Sequence, residues 1–297
     1  MRSTKGNRPK LGSIKYCGTI ASFLAALIGC GSAEQVDEAS EVTQTSSALI
    51  GSNAQIGVFR SGTWFLDANG DHGWSGLPAD AVGSFGQAGD IPLANKNCNP
   101  LSQTRELFVT RQSFQWFSTA NDFDWNGGDS AFTFGLSSGA MRPVMLQGHI
   151  AAVTPAPGGW LWDRDDSRTF GSPDLSFGYG ADGNIAVAGR WSSSPTEGPG
   201  TFNNGWWIVD SNNNLQIDGA DAQFGFGSSG DLPVVADFNV NHAGDEIAVF
   251  RNGTWFVDFN GNRSWDGEAG GDQLFFFGQA GDIPVVAPSW RGAMCIQ

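Results

Sequence analysis

The chain of 297 residues is short of the residue types on which most catalytic and nucleic-acid-binding sites depend. It has 3 histidines and 4 cysteines, and its 16 lysines and arginines face 30 aspartates and glutamates, which gives a formal net charge of −14. A surface this acidic repels phosphate backbones and anionic headgroups and attracts cations. We therefore expect no nucleic acid among its partners.

Recognisable catalytic motifs are also missing. The histidines His72, His149 and His242 lie in turn-like stretches without a serine or cysteine nucleophile elbow. There is no H-E-x-x-H, no P-loop and no G-x-G-x-x-G followed by a helical pattern. We expect a protein that is not an enzyme. Paired carboxylates for glycoside cleavage stay open, because their separation depends on the fold.

Residues 1–29 have the layout of a secretory signal peptide. Five basic residues and no acid precede an apolar run, from about Thr19 to Ile28, that is too short to span a bilayer. The run ends in L-I-G-C, which resembles the bacterial lipobox and implies a diacylglyceryl anchor on Cys30. Gly31, where an aspartate would favour the inner membrane, points to the outer membrane or cell surface. An ordinary signal peptide with a chance cysteine is the alternative.

Loss of the signal peptide would leave 11 basic against 30 acidic residues, a net charge of −19. Residues 30–52 then comprise the acylated cysteine and a polar, acidic stretch without aromatics, which predicts a flexible linker. Residues 53–297 are enough for one large folded domain. In an oxidising compartment Cys98 and Cys295 form the remaining pair, and we predict a disulfide between them, with two free thiols as the alternative.

Two sequence elements recur about every 48 residues and define five repeats. One is Gly-x-Trp-apolar-apolar-Asp, which is incomplete in its second copy, around Trp116. The other is Phe/Tyr-Gly followed by a turn and an apolar strand, clearest in FGQAGDIPLA from Phe85 and FGQAGDIPVVA from Phe277. The aligned tryptophans are Trp64, Trp116, Trp160, Trp207 and Trp255.

Each repeat reads as four short strands. In the last repeat they are 246–251, 254–259, 273–278 and 283–287, and the first two meet across Asn252-Gly253, a strong hairpin signal. Units of this kind, repeated radially, predict an all-β fold, a β-propeller of about five four-stranded blades. We expect the tryptophans between blades, and the last strand of the chain beside the first.

The pattern F-G-x-x-G-D-x-P-V-V-x-D-[FW]-[DN]-x-[DN], followed by an I-A-V-F strand, resembles the FG-GAP/VCBS group of β-propeller repeats. The resemblance runs from Ile56 to Ala287 and is strongest from Phe226 onward. In that group the loop after the innermost strand binds calcium. The resemblance implies a Ca²⁺ site whose ligands are Asp237, Asn239, Asn241 and Asp245.

Two features of this loop predict weak calcium binding at best. His242 stands where the group has glycine, and only two of the four ligands are carboxylates. The alternative is a turn of Asp and Asn side chains without an ion.

A second set of acidic loops follows each tryptophan strand, as in Asp163, Asp165 and Asp174, or Asp210, Asn212 and Asn214. The copy from Asp210 mimics an EF-hand, but Leu215 replaces its glycine. We expect these loops to be ordinary hairpin connections.

Together these features favour a membrane-anchored cell-envelope binding module that recognises a glycan or a surface protein. Rings of five such units are known among lectins, so a sugar is the more specific expectation. A structural envelope or adhesion scaffold, and a polysaccharide hydrolase or lyase, are the alternatives.

Overall fold

The structure is a computed structural model that describes residues 54–95, 106–112, 115–119, 123, 129–135, 141–154, 158–193 and 195–287. All of them belong to one compact unit, Ala48–Gln297. The predictions for the signal peptide, the linker, Cys30, Cys98 and Cys295 lie outside the described residues. No helix among the described residues has the length and apolarity needed to cross a membrane.

The described residues form twenty strands and one short 3₁₀ helix, Glu268–Gly270. In chain order the strands are β1 (Gln55–Arg60), β2 (Thr63–Leu66), β3 (Ala81–Ser84), β4 (Ile91–Ala94), β5 (Leu107–Arg111), β6 (Gln115–Thr119), β7 (Ser130–Thr133), β8 (Arg142–Leu146), β9 (His149–Val153), β10 (Gly159–Trp162), β11 (Leu175–Gly178), β12 (Ile185–Gly189), β13 (Gly198–Asn203), β14 (Trp206–Val209), β15 (Ala222–Gly225), β16 (Leu232–Ala236), β17 (Glu246–Arg251), β18 (Thr254–Val257), β19 (Gln273–Phe276) and β20 (Ile283–Ala287).

These strands make five antiparallel four-stranded sheets, the blades of a β-propeller. From the inside outward, blade 1 is β20-β1-β2-β3, blade 2 is β4 to β7, blade 3 is β8 to β11, blade 4 is β12 to β15 and blade 5 is β16 to β19. The inner strands β4, β8, β12, β16 and β20 contact one another in a closed ring. The predicted fold, with five blades in one chain, is confirmed.

The ring closes by joining the two ends of the domain in blade 1. Strand β20 pairs with β1 so that Gln55 faces Ala287 and Phe59 faces Ile283. The last strand thus completes the sheet that the first strand begins, as the offset of the repeats predicts. Blades 1 and 5 are neighbours, and they hold two closely similar segments, IGVFRSGTWFLDANGD at 56–71 and IAVFRNGTWFVDFNGN at 247–262.

The repeated tryptophans form the cores between blades. All five are fully buried, and each indole Nε1 donates to the carbonyl oxygen of the Phe or Tyr in the Phe/Tyr-Gly element, as Trp64 does to Phe85 at 2.8 Å and Trp160 to Tyr179 at 3.0 Å. A buried indole needs such an acceptor. One hydrogen bond thus explains why the two sequence elements keep the same spacing.

Inner-strand prolines border a central cavity of about 140 Å³ that is lined by the inner strands of all five blades. Pro92, Pro143, Pro233 and Pro284 line it, and they are tolerated because the inner edge of a blade has no further strand to receive an N–H. The hairpin turn at Asn252-Gly253 has the expected positive φ angles, 53° and 93°.

Two predicted strands of blade 5 end earlier than the sequence suggested. Strand β18 stops at Val257 and β19 at Phe276, where 259 and 278 were expected. The chain turns at Asp258 because its carboxylate accepts the N–H groups of Asn262 and Arg263 from the following loop.

Candidate functional site

The predicted calcium loop lies between β16 and β17 and holds an arginine from the neighbouring blade. Arg190, which follows β12, donates from Nε to Asp245 Oδ1 at 2.8 Å and from Nη2 to Asp237 Oδ2 at 2.9 Å. The structure thus brings the two predicted carboxylates together. The positive charge between them is a guanidinium.

The amide ligands of the same prediction already make hydrogen bonds within the loop and to a neighbouring segment of blade 5. Asn239 Oδ1 accepts the backbone N–H of Asn241 at 3.2 Å, and Asn239 Nδ2 donates to the carbonyl of Phe259 at 2.9 Å. Asp237 Oδ1 is buried without a hydrogen-bond partner. One open oxygen beside a neutralised pair fits Ca²⁺ poorly, and calcium in this loop stays a prediction.

His242 fits this loop without strain. The residue with a left-handed backbone is Gly244, at φ 107°, and His242 does not have a positive φ. A Cβ at position 244 would lie 2.6 Å from the carbonyl oxygen of Arg190. The position of this turn that requires glycine is therefore 244. It lies two residues after position 242, where the FG-GAP/VCBS pattern has glycine.

A polar cleft of about 370 Å³ adjoins the loop and contains two carboxylates with shifted pKa values. Burial raises the pKa of Glu246, which is 3% exposed, to about 7, and burial raises the pKa of Asp258 to about 6. Glu246 Oε2 accepts the N–H groups of Phe238 and Asn239, both at 2.9 Å. Asp258 likewise accepts backbone N–H groups. These contacts indicate that both carboxylates stabilise the conformations of their loops.

In four blades the loop after the tryptophan strand, which is the third strand from the inside, is organised by a buried aspartate. Asp67, Asp163, Asp210 and Asp258 are fully buried, and each accepts backbone N–H groups from the residues four or five positions later. Burial raises the pKa of all four, in Asp163 to about 6. Each of these loops connects two antiparallel strands, and its aspartate holds the backbone of the loop.

Seven residues beyond each of these aspartates lies an exposed apolar side chain. These side chains are Trp74, Phe170, Ile217 and Trp265. An exposed tryptophan is uncommon in a fold that buries its tryptophans so thoroughly. An apolar side chain thus recurs at the same exposed position in all four of these loops.

Trp74 lies in a cleft of about 280 Å³ between blades 1 and 5, which we call the Trp74 cleft; it is lined by Val58, Arg60, Phe65, Trp74, Phe277 and Gly278. The indole is 48% exposed and is held edge-on by Phe65 and Phe277, with ring centroids 5.9 and 6.0 Å away. Its orientation is therefore fixed while part of its surface stays open.

Arg60 provides the polar side of the Trp74 cleft. Its guanidinium carbon lies 4.6 Å from the centre of the Phe65 ring, and its Nε and Nη2 donate to Asp282 at 2.6 and 2.7 Å. A guanidinium has five N–H donors. The bidentate pair holds it in place at the wall of the cleft.

The same arrangement recurs between blades 4 and 5. Trp265 packs edge-on against Phe256 at 5.3 Å and Phe226 at 6.3 Å, and Arg251 lies over the Phe256 ring while it pairs with Asp231. Sequence reasoning missed Trp74 and Trp265. Aligning DANGDHGW with DFNGNRSW would have found them, because each tryptophan follows its loop aspartate by the same number of residues.

No protein-family model matches this chain, and no curated protein matches it.

Proposed function

We propose that the protein is a binding module that recognises a glycan through the clefts between its blades. The Trp74 cleft is the observation that carries the proposal. A fixed, half-exposed indole offers a flat apolar face to the C–H groups of a sugar ring, and the adjacent guanidinium offers donors to its hydroxyl groups.

Repetition of the site supports a ligand with repeated units. The constellation of exposed Trp, flanking Phe rings and ion-paired Arg occurs at Trp74 and again at Trp265. Two weak sites on one ring bind an extended polysaccharide more tightly than either alone, because the second contact is intramolecular.

The location of this activity is proposed from the sequence alone. Cys30 would carry the lipid anchor, its only attachment to the membrane, and the linker would hold the propeller outside the outer membrane or cell surface. Membership of the FG-GAP/VCBS repeat group is proposed on the same basis, and calcium is proposed to stabilise loops of the ring. Metabolic labelling with a fatty acid that leaves the chain unmarked would overturn the anchor.

The test is a broad glycan array probed with the full purified chain in millimolar calcium and again in chelator. We expect Trp74→Ala to weaken binding to the recognised glycan roughly tenfold, about 1.4 kcal/mol. The double variant with Trp265→Ala should lose more, through lost avidity.

Trp206→Ala is the matched control. Trp206 is 51% exposed, similar to Trp74, but it lies on strand β14. It neither lines the Trp74 cleft nor is among the rings that pack against Trp265. Glycan binding that survives both cleft substitutions, or that falls equally in Trp206→Ala, contradicts the proposed site. If the folded chain binds no glycan on the array, glycan recognition is contradicted and a protein-binding scaffold is the better account.

A further inference from the structure

The loop after β10 in blade 3 brings three carboxylates together. One oxygen from each of Asp163, Asp165 and Asp174 lies within 4.8 Å of the other two. Asp163 is 0% exposed, Asp174 is half-buried and Asp165 is exposed. Carboxylates this close repel one another, and burial of one of them strengthens the repulsion.

Asp163 differs from its counterparts in the other loops in its hydrogen bonding. Asp210 accepts a backbone N–H at each oxygen, Oδ1 from Asn214 at 3.1 Å and Oδ2 from Leu215 at 2.8 Å, and Asp67 and Asp258 do the same. Asp163 Oδ2 accepts the N–H of Arg168 at 2.8 Å, but its Oδ1 is buried without a hydrogen-bond partner.

The loop also differs from the others in sequence. Two positions after the buried aspartate, the other loops have an amide, Asn69, Asn212 or Asn260, whereas this loop has Asp165. In the other loops the N–H four positions after the aspartate is shared with that amide, as Asn214 donates to both Asp210 Oδ1 and Asn212 Oδ1. In this loop the N–H of Ser167 donates to Asp165 Oδ1 at 3.0 Å and Asp163 Oδ1 has no partner. The loop has thus gained a negative charge and left a buried oxygen without its donor.

The basic side chains around this loop are directed elsewhere. The Arg164 guanidinium lies 5.3 Å from the centre of the Trp162 ring, Arg168 Nη2 pairs with Glu106 at 2.7 Å and His149 pairs with Asp166 at 2.9 Å. The Asp237 loop differs in this respect, because there Arg190 lies between the two carboxylates.

We propose that Asp163, Asp165 and Asp174 bind a Ca²⁺ ion. The donors are all oxygens, which selects a hard cation, and the mixture of buried and exposed ligands on a loop suits the flexible coordination of calcium better than the octahedron that magnesium demands. Asp80 Oδ1 and Asp272 Oδ1 in other loops also lack a partner, but among the described residues only the Asp163 loop gathers three carboxylates. The site is independent of the Trp74 cleft and of the Asp237 loop.

The experiment is calorimetric titration of the full purified chain with CaCl₂ after chelator treatment. The test variant is Asp165→Asn, which gives this loop the amide that the other loops have and so should preserve the fold. Loss of a direct ligand should weaken calcium binding by at least the roughly 10–100-fold that outer-shell changes cause. Calcium should also raise the unfolding temperature of the wild-type chain more than that of the variant.

The matched control is Asp218→Asn, which removes one exposed carboxylate from the corresponding loop of blade 4, where Asp218 contacts Asn212 and Asn214. It should bind calcium as the wild type does. The proposal is overturned if the wild-type chain binds no calcium, or if Asp165→Asn and Asp218→Asn give the same isotherm. A second site elsewhere on the chain would appear in both variants and so does not affect the comparison.

Discussion

At the scale of single residues, charge compensation distinguishes loops that look alike in sequence. The Asp237 loop has a guanidinium between its two carboxylates, whereas the Asp163 loop gathers three carboxylates around an unpartnered oxygen. In the first arrangement a guanidinium offsets the negative charge of the pair. The second is the arrangement for which we propose a bound cation.

Replacing Arg190 tests the first arrangement. We expect Arg190→Met to lower the free energy of unfolding in chelator by roughly 1–3 kcal/mol, because the nearly buried Asp245 loses its charged partner. Calcium should then restore part of this loss by replacing the guanidinium. Chemical unfolding with and without calcium measures both effects.

Arg142→Met is the control, because it removes the same charge from an exposed position on β8. An Arg190→Met chain as stable as the Arg142→Met chain would show that the guanidinium does not hold this loop.

The sequence predicted the grouping of these carboxylates but not their partner. Asp237 and Asp245 are close along the chain, so a single loop was enough to place them together. Arg190 lies 47 and 55 residues away from them, in the preceding blade. Its contact depends on how two blades pack, which no local pattern encodes.

At the scale of elements, the buried tryptophan occupies the same strand position in every blade and stabilises the packing between blades. In the third strand of four blades, counted from the inside, buried and partly exposed residues alternate. The buried tryptophan of this strand donates to a carbonyl that follows the fourth strand. Alternation and spacing were visible in the sequence, so the strands could be predicted. Their ends could not, because a side-chain contact such as that of Asp258 sets them.

Strand β14 offers a test in two adjacent tryptophans. Trp207 is buried and donates to the carbonyl of Phe226 at 2.8 Å, whereas Trp206 points outward. We expect Trp207→Phe to cost about 1–3 kcal/mol of unfolding free energy, since it leaves a buried carbonyl unpaired and a gap in the core. Trp206→Phe should change it by less than about 0.5 kcal/mol. Equal losses in urea unfolding would contradict this assignment of the indole hydrogen bond.

At the scale of the whole molecule, closure of the ring depends on the pairing of β1 with β20. The offset between the first and last repeats predicted this pairing, and the registry from Gln55 to Phe59 confirms it. The clefts that carry the proposed function were not predicted. They arise where loops of neighbouring blades meet, as Trp74 meets Phe277.

Two truncated chains test the closure. A chain ending at Asp282 lacks β20 and exposes the edge of β1, including the buried Ile56 and Val58, whereas a chain ending at Pro288 keeps the strand. We expect the shorter chain to self-associate through that edge and to unfold at lower urea concentration. Size-exclusion chromatography with light scattering compares them, and identical monomeric profiles with equal stability would argue against closure by β20.

The meeting of the chain ends in blade 1 also determines how the ring bears mechanical load. Gln55 faces Ala287, and the pair continues to Phe59 and Ile283. Because both chain ends lie at the same end of this strand pair, tension between them would break the hydrogen bonds one after another, beginning at Gln55 and Ala287. We therefore expect the ring to resist force least when it is pulled by both ends. A tether at one end only would place no tension between these two strands, and the proposed N-terminal anchor would be a tether of that kind.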